Sequence, residues 1–235
     1  RTAAANRRHR GFRPRQILGG AATAVAAKYL ARPESTVATI CGCGTQGAIQ
    51  LEALLRLFPL KKIHAHSRSA ASMEQFAAEN ALRFGIAVHA APDLETALAD
   101  SDICVTCTPA KGALVRSEWV RPGTFVAAVG ADSPEKQELD PALLKGNKVV
   151  ADILDQCLQV GEIHHGVAGG YLRAEDVHAE LGQVIAGLRA GRTSASEITI
   201  FDSTGTALQD VAAAMLVYRK VAETTDLQSF DFFAG

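Results

Sequence analysis

From Ile17 onward, short apolar runs alternate with longer stretches whose apolar positions recur at helical spacing. An alanine-rich helix over Ala21–Ala31, stopped by Pro33, precedes a strand at Val37–Cys41, a helix at Gly47–Phe58 and a strand at Lys62–His66. A helix at Ala71–Phe84 ends at Gly85 and leads to a short strand at Ala87–Ala90, a helix at Leu94–Leu98 and a strand at Ile103–Thr106. Further strands are predicted at Thr124–Val129, Lys148–Ile153 and Glu197–Phe201, with a helix over Thr204–Val221. Strands separated by helices, most of them continuous apolar runs, imply a doubly wound α/β fold: a parallel sheet covered on both faces and joined by right-handed crossovers.

One connection is more specific than the rest. Gly42-Cys43-Gly44-Thr45-Gln46-Gly47 sits between the first strand and the next helix, the context in which a GxGxxG turn places free helix amides and the positive dipole end against a pyrophosphate. Gly42 permits the turn, Gly44 lets backbone approach phosphate, and Gly47 lets the helix pack on the strand. Gly42, Gly44, Thr45, Gln46 and Gly47 are therefore candidate cofactor-binding residues of a Rossmann-type NAD(P)-binding domain. An acid normally grips the ribose about 20 residues beyond such a turn. Here that place holds Ser67-Arg68, which suits a 2′-phosphate and favours NADP(H) over NAD(H).

Composition sets bounds on this picture. With 235 residues, 48% hydrophobic and 21% charged, the chain has enough apolar content for a full core. No apolar run approaches the about 20 residues of a membrane helix, and no secretory-type leader opens the sequence, so a cytoplasmic location with no membrane partner is expected. Five cysteines fit reduced thiols better than a disulfide framework. The formal net charge of −1 hides an asymmetry: six of the 24 Lys and Arg, and none of the 25 Asp and Glu, lie within residues 1–16. Such an arm could bind nucleic acid or resemble a transit segment. Without an initiator Met, apolar periodicity or interleaved aromatics beyond Phe12, it reads rather as a fragment end or altered reading, with no nucleic-acid partner. The expected organisation is an atypical basic segment over 1–16, a dinucleotide-binding domain over 17–205, and a C-terminal helix and tail over 206–235.

Ligands of doubly wound sheets bind beyond the carboxyl ends of the strands. Thr106, Thr108 and Pro109 follow the fourth strand, Gly130 and Asp132 the fifth, and Asp202, Ser203, Thr204 and Gly205 the last. All are candidate cleft residues, with Asp202 alternatively the N-cap of the final helix and Asp132 alternatively part of a Ser133-Pro134 turn. Cys41 and Cys43 end the first strand and Cys104 and Cys107 the fourth, so four thiols are expected to cluster. Zinc inside a dinucleotide turn is rejected, and mild oxidation is expected to join a pair and block nucleotide binding. His164, His165 and Glu162 lack helix-face metal spacing and read as polar surface or a domain contact.

Taken together, Ala24–Arg32, the glycine turn, Gly130–Leu139 and Ile198–Asp210 resemble the ornithine cyclodeaminase and mu-crystallin family, with coverage from about Gly20 to the C-terminus. Gln156-Cys157 and Gly161–His165 look most like members linked to ectoine utilisation and their imino-acid-reducing relatives. The resemblance implies hydride chemistry at a carbon bearing nitrogen. Cyclodeaminases of this kind convert ornithine to proline and ammonia without net redox change, whereas the reductases reduce an imine at the same site. Asp132 matches the family's catalytic aspartate, which stabilises an iminium. A small amino- or imino-acid substrate and, for intact members, a homodimer are implied, while the crystallin members suggest a module that binds nucleotide without turnover.

There are also departures from the family pattern. Members carry a preceding substrate domain whose Arg and Lys hold the substrate carboxylate, and this sequence shows no equivalent. Their Arg-Thr-Gly-Ala-Ala motif is here Leu18-Gly19-Gly20-Ala21-Ala22, with Arg1-Thr2-Ala3-Ala4-Ala5 resembling it at a displaced position. A chain that binds cofactor but turns over poorly is expected, and the final helix with Phe230–Phe233 is expected to expose an apolar face.

Overall fold

The structure, a computed structural model, describes residues 14–222. Residues 1–13, with most of the basic segment, and 223–235, with Phe230–Phe233, lie outside the described residues. The principal elements are α1 (Pro14–Leu30), β1 (Val37–Cys41), α2 (Thr45–Leu55), β2 (Lys62–His66), α3 (Ala70–Phe84), β3 (Ala87–Ala90), α4 (Leu94–Asp100) and β4 (Ile103–Thr106). They are followed by β5 (Lys111–Val115), β6 (Phe125–Ala128), β7 (Gln137–Leu139), β8 (Lys148–Ala151), α5 (Leu154–Cys157) and α6 (Glu162–Ala168). Last come β9 (Ala179–Glu180), α7 (Leu181–Ile185), β10 (Thr199–Asp202) and α8 (Ala207–Ala222).

Eight strands form one sheet in the order β3-β2-β1-β4-β6-β10-β8-β9, with every pairing parallel, and β5 and β7 form a separate two-stranded sheet. The strand order reverses between β1 and β4, which makes that junction the switch point of a doubly wound sheet. The apolar runs are continuous because both faces are buried. Ala38, Ile40, Ile103, Val105, Phe125, Ala127, Val150 and Phe201 enter one core with Leu30 of α1, Leu51 and Leu54 of α2 and Phe76 of α3. Their alternates Cys41, Cys104, Val126, Ala128, Val149, Ala151 and Ile200 enter a second core with Leu94 and Leu98 of α4 and Ile163 of α6.

Local chemistry sets several helix ends. Ser69 caps α3 through the Ser72 amide and Asp93 caps α4 through that of Thr96. Three differences from the sequence reading matter for the site. First, α2 begins at Thr45, two residues earlier than expected, so its open first turn lies nearer Gly44. Second, α8 begins at Ala207 rather than Thr204, which frees Ser203–Thr206 to form a loop. Third, β5, β7 and β9 were not anticipated, because β7 and β9 span only three and two residues and β5 opens on the exposed Lys111-Gly112-Ala113. Helix α8 touches α1 and leaves Val211, Met215 and Tyr218 exposed on its outer side, in keeping with the expected apolar face.

Candidate functional site

The glycine turn has the geometry that its spacing implies. Gly42 has φ +120°, closed to L side chains at low cost, and its amide hydrogen bonds to the His66 carbonyl at 2.9 Å, tying the turn to β2. A Cβ on Gly47 would stand 2.0 Å from the Gly42 carbonyl oxygen, so only glycine lets α2 pack this closely on the turn. A Cβ on Gly44 would meet nothing within 4 Å. Gly44 is the N-cap of α2 and provides no side-chain cap, which leaves amides of the first helical turn open toward that space.

Two cavities flank this turn and meet at Cys107, Thr108 and Pro109. The β2-side cavity, about 590 Å³, is walled by Gly42, Gly44, His66, Ser67, Arg68 and Ser72 among others. Ser67 Oγ donates to the Ser69 carbonyl at 3.1 Å and accepts from the Ser69 amide at 3.3 Å, whereas Arg68 is exposed and forms no hydrogen bond or ion pair among the described residues. Thr45 is exposed on the first turn of α2, and Gly47 is buried behind it. The β6-side cavity, about 510 Å³, is lined by Gln46, Thr108, Pro109, Gly130, Asp132, Lys136 and Ser203–Thr206, together with Leu18 and Gly19 of α1. Asp132 is 65% exposed there and ion-pairs with Lys136 Nζ at 2.5 Å. The Lys136 carbonyl accepts in turn from His165 Nε2 of α6 at 2.8 Å.

Two predicted contacts need correction. Thr106 is fully buried and its hydroxyl donates to Glu138 Oε2 at 2.7 Å, so it points under the cleft and not into it, as the strand pleat dictates. Asp202 is also fully buried and does not line the cavity. It does not cap α8: its Oδ2 accepts from the Ile163 amide at 2.8 Å and so caps α6 instead. Burial pushes the Asp202 carboxyl up to about 7.

Two acids that sequence reasoning missed, Glu138 and Asp152, and Glu162, which it read as polar surface or a domain contact but which is buried, shape the β6-side cavity from behind. Glu138 of β7 accepts from the Thr108 amide and hydroxyl at 2.6 and 2.8 Å and from the Gly130 amide at 2.9 Å. Glu162 at the start of α6 accepts from the Glu138 and Leu139 amides at 2.8 and 3.0 Å. Asp152, just past β8, accepts from Ser203 Oγ at 3.1 Å and from the Thr204 and Gly205 amides, each at 2.9 Å. Burial raises the pKa of both Glu138 and Glu162, with the charge of Asp202 adding to the rise at Glu162. His164 and His165 are half-buried on α6, where His165 touches the Asp132 loop, and no group of potential metal ligands occurs among the described residues.

The expected thiol cluster is present, since β1 and β4 pair directly and Cys107 Sγ lies 3.4 Å from the Cys41 carbonyl. Its environment does not favour oxidation. Burial raises the Cys43 thiol to about 11, Cys107 rises for the same reason, and Cys41 is raised by its hydrogen bond with Cys104 and then by burial. These groups stay thiols at neutral pH, which weakens the expected oxidative block.

A parallel sheet with its switch point at β1/β4, a glycine turn opening a helix there, and a divided cleft over the strand ends define a doubly wound dinucleotide-binding architecture. The chain matches the model of the ornithine cyclodeaminase/mu-crystallin family over residues 16–225, and it belongs to that family. It is 45% identical to an alanine dehydrogenase of Archaeoglobus fulgidus over 91% of this chain and 66% of the relative. It is 38% identical to an iminosuccinate reductase of Paracoccus denitrificans over 84% and 60%. Among solved structures, an archaeal alanine dehydrogenase dimer with bound NAD superposes with a TM-score of 0.86 at 45% identity, over 92% of this chain and 66% of that one. A Thermococcus litoralis Delta(1)-pyrroline-2-carboxylate reductase in complex with NADH and L-proline gives 0.86 at 32% identity, over 89% and 65%. A lysine cyclodeaminase gives 0.81 at 33% identity, over 92% and 61%. The chain thus spans about two thirds of the length of these relatives.

Proposed function

We propose that this chain binds a nicotinamide dinucleotide and serves an oxidoreductase that acts at the carbon–nitrogen bond of a small amino or imino acid. The observation that carries the reading is the placement of Asp132 in the β6-side cavity, across the switch point from the open amides of α2. The cleft fits the cofactor: Gly44 and the first turn of α2 leave room and free donors for the pyrophosphate, and Gln46, Thr108, Pro109, Gly130 and Ser203–Gly205 surround the place of the nicotinamide half. Ser67 and Arg68 stand where the adenosine ribose belongs. Similar structures hold NAD or NADH, and the unpartnered Arg68 additionally suits the 2′-phosphate of NADP(H).

When bound, the reduced nicotinamide supplies a hydride to an imine carbon, and the imine nitrogen takes a proton to give the amine. The chain contributes position and charge. Asp132 presents a carboxylate to the positively charged iminium, and Lys136 fixes that carboxylate before substrate arrives. Net imine reduction or amino-acid dehydrogenation is favoured by the likeness to an alanine dehydrogenase, an iminosuccinate reductase and a pyrroline-carboxylate reductase. Cyclodeamination is the second reading, supported by the likeness to a lysine cyclodeaminase. We further propose a homodimer that covers the outer side of α8; the archaeal relative is itself a dimer.

The test has two stages. NADH and NADPH are titrated into the purified chain, and absence of binding for both refutes the reading. Dinucleotide consumption is then followed with pyruvate plus ammonia and with Δ1-pyrroline-2-carboxylate, and proline formation is followed from ornithine. Consumption of reduced dinucleotide selects imine reduction, and proline without net consumption selects cyclodeamination. Binding without turnover of any substrate selects a nucleotide-binding module.

A further inference from the structure

We propose that Glu138 is a positioning residue that holds the two lips of the nicotinamide half of the cleft at their working separation, an inference that rests on the dinucleotide reading above. Glu138 lies in β7, whose only strand partner among the described residues is β5 in the small second sheet. Its carboxylate nevertheless reaches beneath the main sheet. Strands β4 and β6 are neighbours, and their regular pairing ends at Thr106 and Ala128. The Val129 amide still finds the Thr106 carbonyl at 2.9 Å, but beyond it the amides of Thr108 and Gly130 both turn to Glu138. Thr108 and Gly130 are walls of the cavity that holds Asp132, whereas Glu138 is not. A Cβ on Gly130 would stand 2.5 Å from the Thr108 carbonyl oxygen and 2.6 Å from the Glu138 carboxylate, so the lips close on each other with the carboxylate directly behind them.

The bonding pattern requires a carboxyl group. Oε1 serves the Thr108 amide and hydroxyl, and Oε2 serves the Gly130 amide and the Thr106 hydroxyl. Hydroxyls can reverse their roles, but backbone amides only donate. Two amides on two different oxygens therefore need two acceptors, and glutamine has one. Glutamine at this place turns its NH₂ against a backbone N–H and forces one lip away. Glu138 is itself pinned by Glu162, which takes its amide and that of Leu139, so the carboxylate cannot follow the displaced lip. Thr108 also borders the β2-side cavity, but none of Gly42, Gly44, Ser67 or Arg68 is bonded to Glu138, so the residues assigned to the pyrophosphate and the adenosine ribose stand outside this arrangement.

Calorimetric titration of NADH and of ADP-ribose, which has the adenosine and pyrophosphate but no nicotinamide, into the full chain tests the inference. Glu138→Gln is expected to weaken NADH binding about tenfold or more. ADP-ribose binding should change by less than about twofold. Thr106→Val removes a single hydroxyl donor, keeps both amide bonds and suits a strand, so it is expected to weaken NADH about threefold and leave ADP-ribose unchanged. This milder variant decides the matter if Glu138→Gln does not fold. Equal losses for both ligands overturn the inference, as does unchanged NADH affinity in both variants. Failure of the wild-type chain to bind either ligand instead overturns the dinucleotide reading on which the inference stands.

Discussion

The two halves of the cleft are built differently. The β2-side half is lined by three short segments, residues 42–44, 66–72 and 107–114, and the serines of its second segment bond locally: Ser67 bonds to Ser69, and Ser69 caps the helix that it precedes. The β6-side half is assembled from α1, the ends of β4, β6 and β10 and the loop carrying Asp132, and two buried acids and a half-buried one far away in sequence hold it in shape. Glu138 lies 30 residues from Thr108, Glu162 lies 24 from Glu138, and Asp152 lies 52 from Thr204. One half depends on the backbone freedom of glycine, the other on carboxylates bonded to backbone amides of distant segments. Substitutions in the first should therefore act on packing or on phosphate, and substitutions in the second should act through pH and long-range geometry.

The sharpest separation is expected within the glycine turn itself. Gly47→Ala drives a methyl into a backbone carbonyl and is expected to cost about 3 kcal/mol of stability, read as a fall in Tm or in urea midpoint. Gly44→Ala meets open space in an extended conformation that alanine tolerates, so stability should stay within about 0.5 kcal/mol. Its methyl occupies the approach of the pyrophosphate, and NADH and ADP-ribose are both expected to bind about tenfold or more weakly by calorimetry. If both alanines act alike, the distinction between a packing glycine and a ligand glycine fails.

The β6-side half should respond to pH instead. The Asp202 carboxyl titrates near 7 in the fold against 3.8 when unfolded. The native state thus holds a proton that the unfolded chain has lost across this window, and stability falls as pH rises from about 4 through 7. Glu138 and Glu162 are raised in the same direction and add to the slope, while the nearby charge of Asp152 opposes ionisation of Asp202. Asp202→Asn keeps an acceptor for the Ile163 amide and removes its own share of the titration. Urea midpoints for this variant should decline less between pH 5 and 8 than those of the wild type. An equal decline in both would take Asp202 out of the pH response.

The smallest effect belongs to the exposed rim. Arg68→Ala is expected to weaken NADPH about fivefold and to leave NADH unchanged, the mark of a solvent-screened guanidinium reading a 2′-phosphate. Equal loss of both dinucleotides would assign Arg68 to general electrostatics.

Much of this was legible in the sequence, for reasons that separate the halves again. Strands buried on both faces announce themselves as unbroken apolar runs, and the GxGxxG spacing together with the Gly130–Leu139 segment marks the turn and Asp132. The acids behind the β6-side cavity carried no such signal. Charged residues ordinarily mark surface, and Glu138 and Glu162 become interior, and Asp152 half-buried, only because backbone amides from distant segments converge on them. Asp202 shows the same limit. An acid just past an apolar strand reads as a cap for the helix that follows it, yet the helix it caps begins 40 residues earlier in the chain. Thr106 was placed on the correct strand end but on the wrong side, which a pleat of two settles only once the register is known.

The position of β10 has a bearing on biosynthesis. The last strand among the described residues inserts between β6 and β8, pairing Thr199 with Phe125 on one side and with Lys148 on the other. A nascent polypeptide that has not yet delivered residues 199–202 therefore has two strands with a vacant slot between them, β6 wholly apolar and β8 apolar beyond Lys148, each unpaired along one edge. Closure of the sheet waits until residue 202 has left the ribosome, and until then β6 and β8 are open to strands of other molecules and to chaperones. A stop codon before residue 199 is thus expected to yield an aggregating product, even though the glycine turn, both β1 neighbours and Asp132 would already have been synthesised.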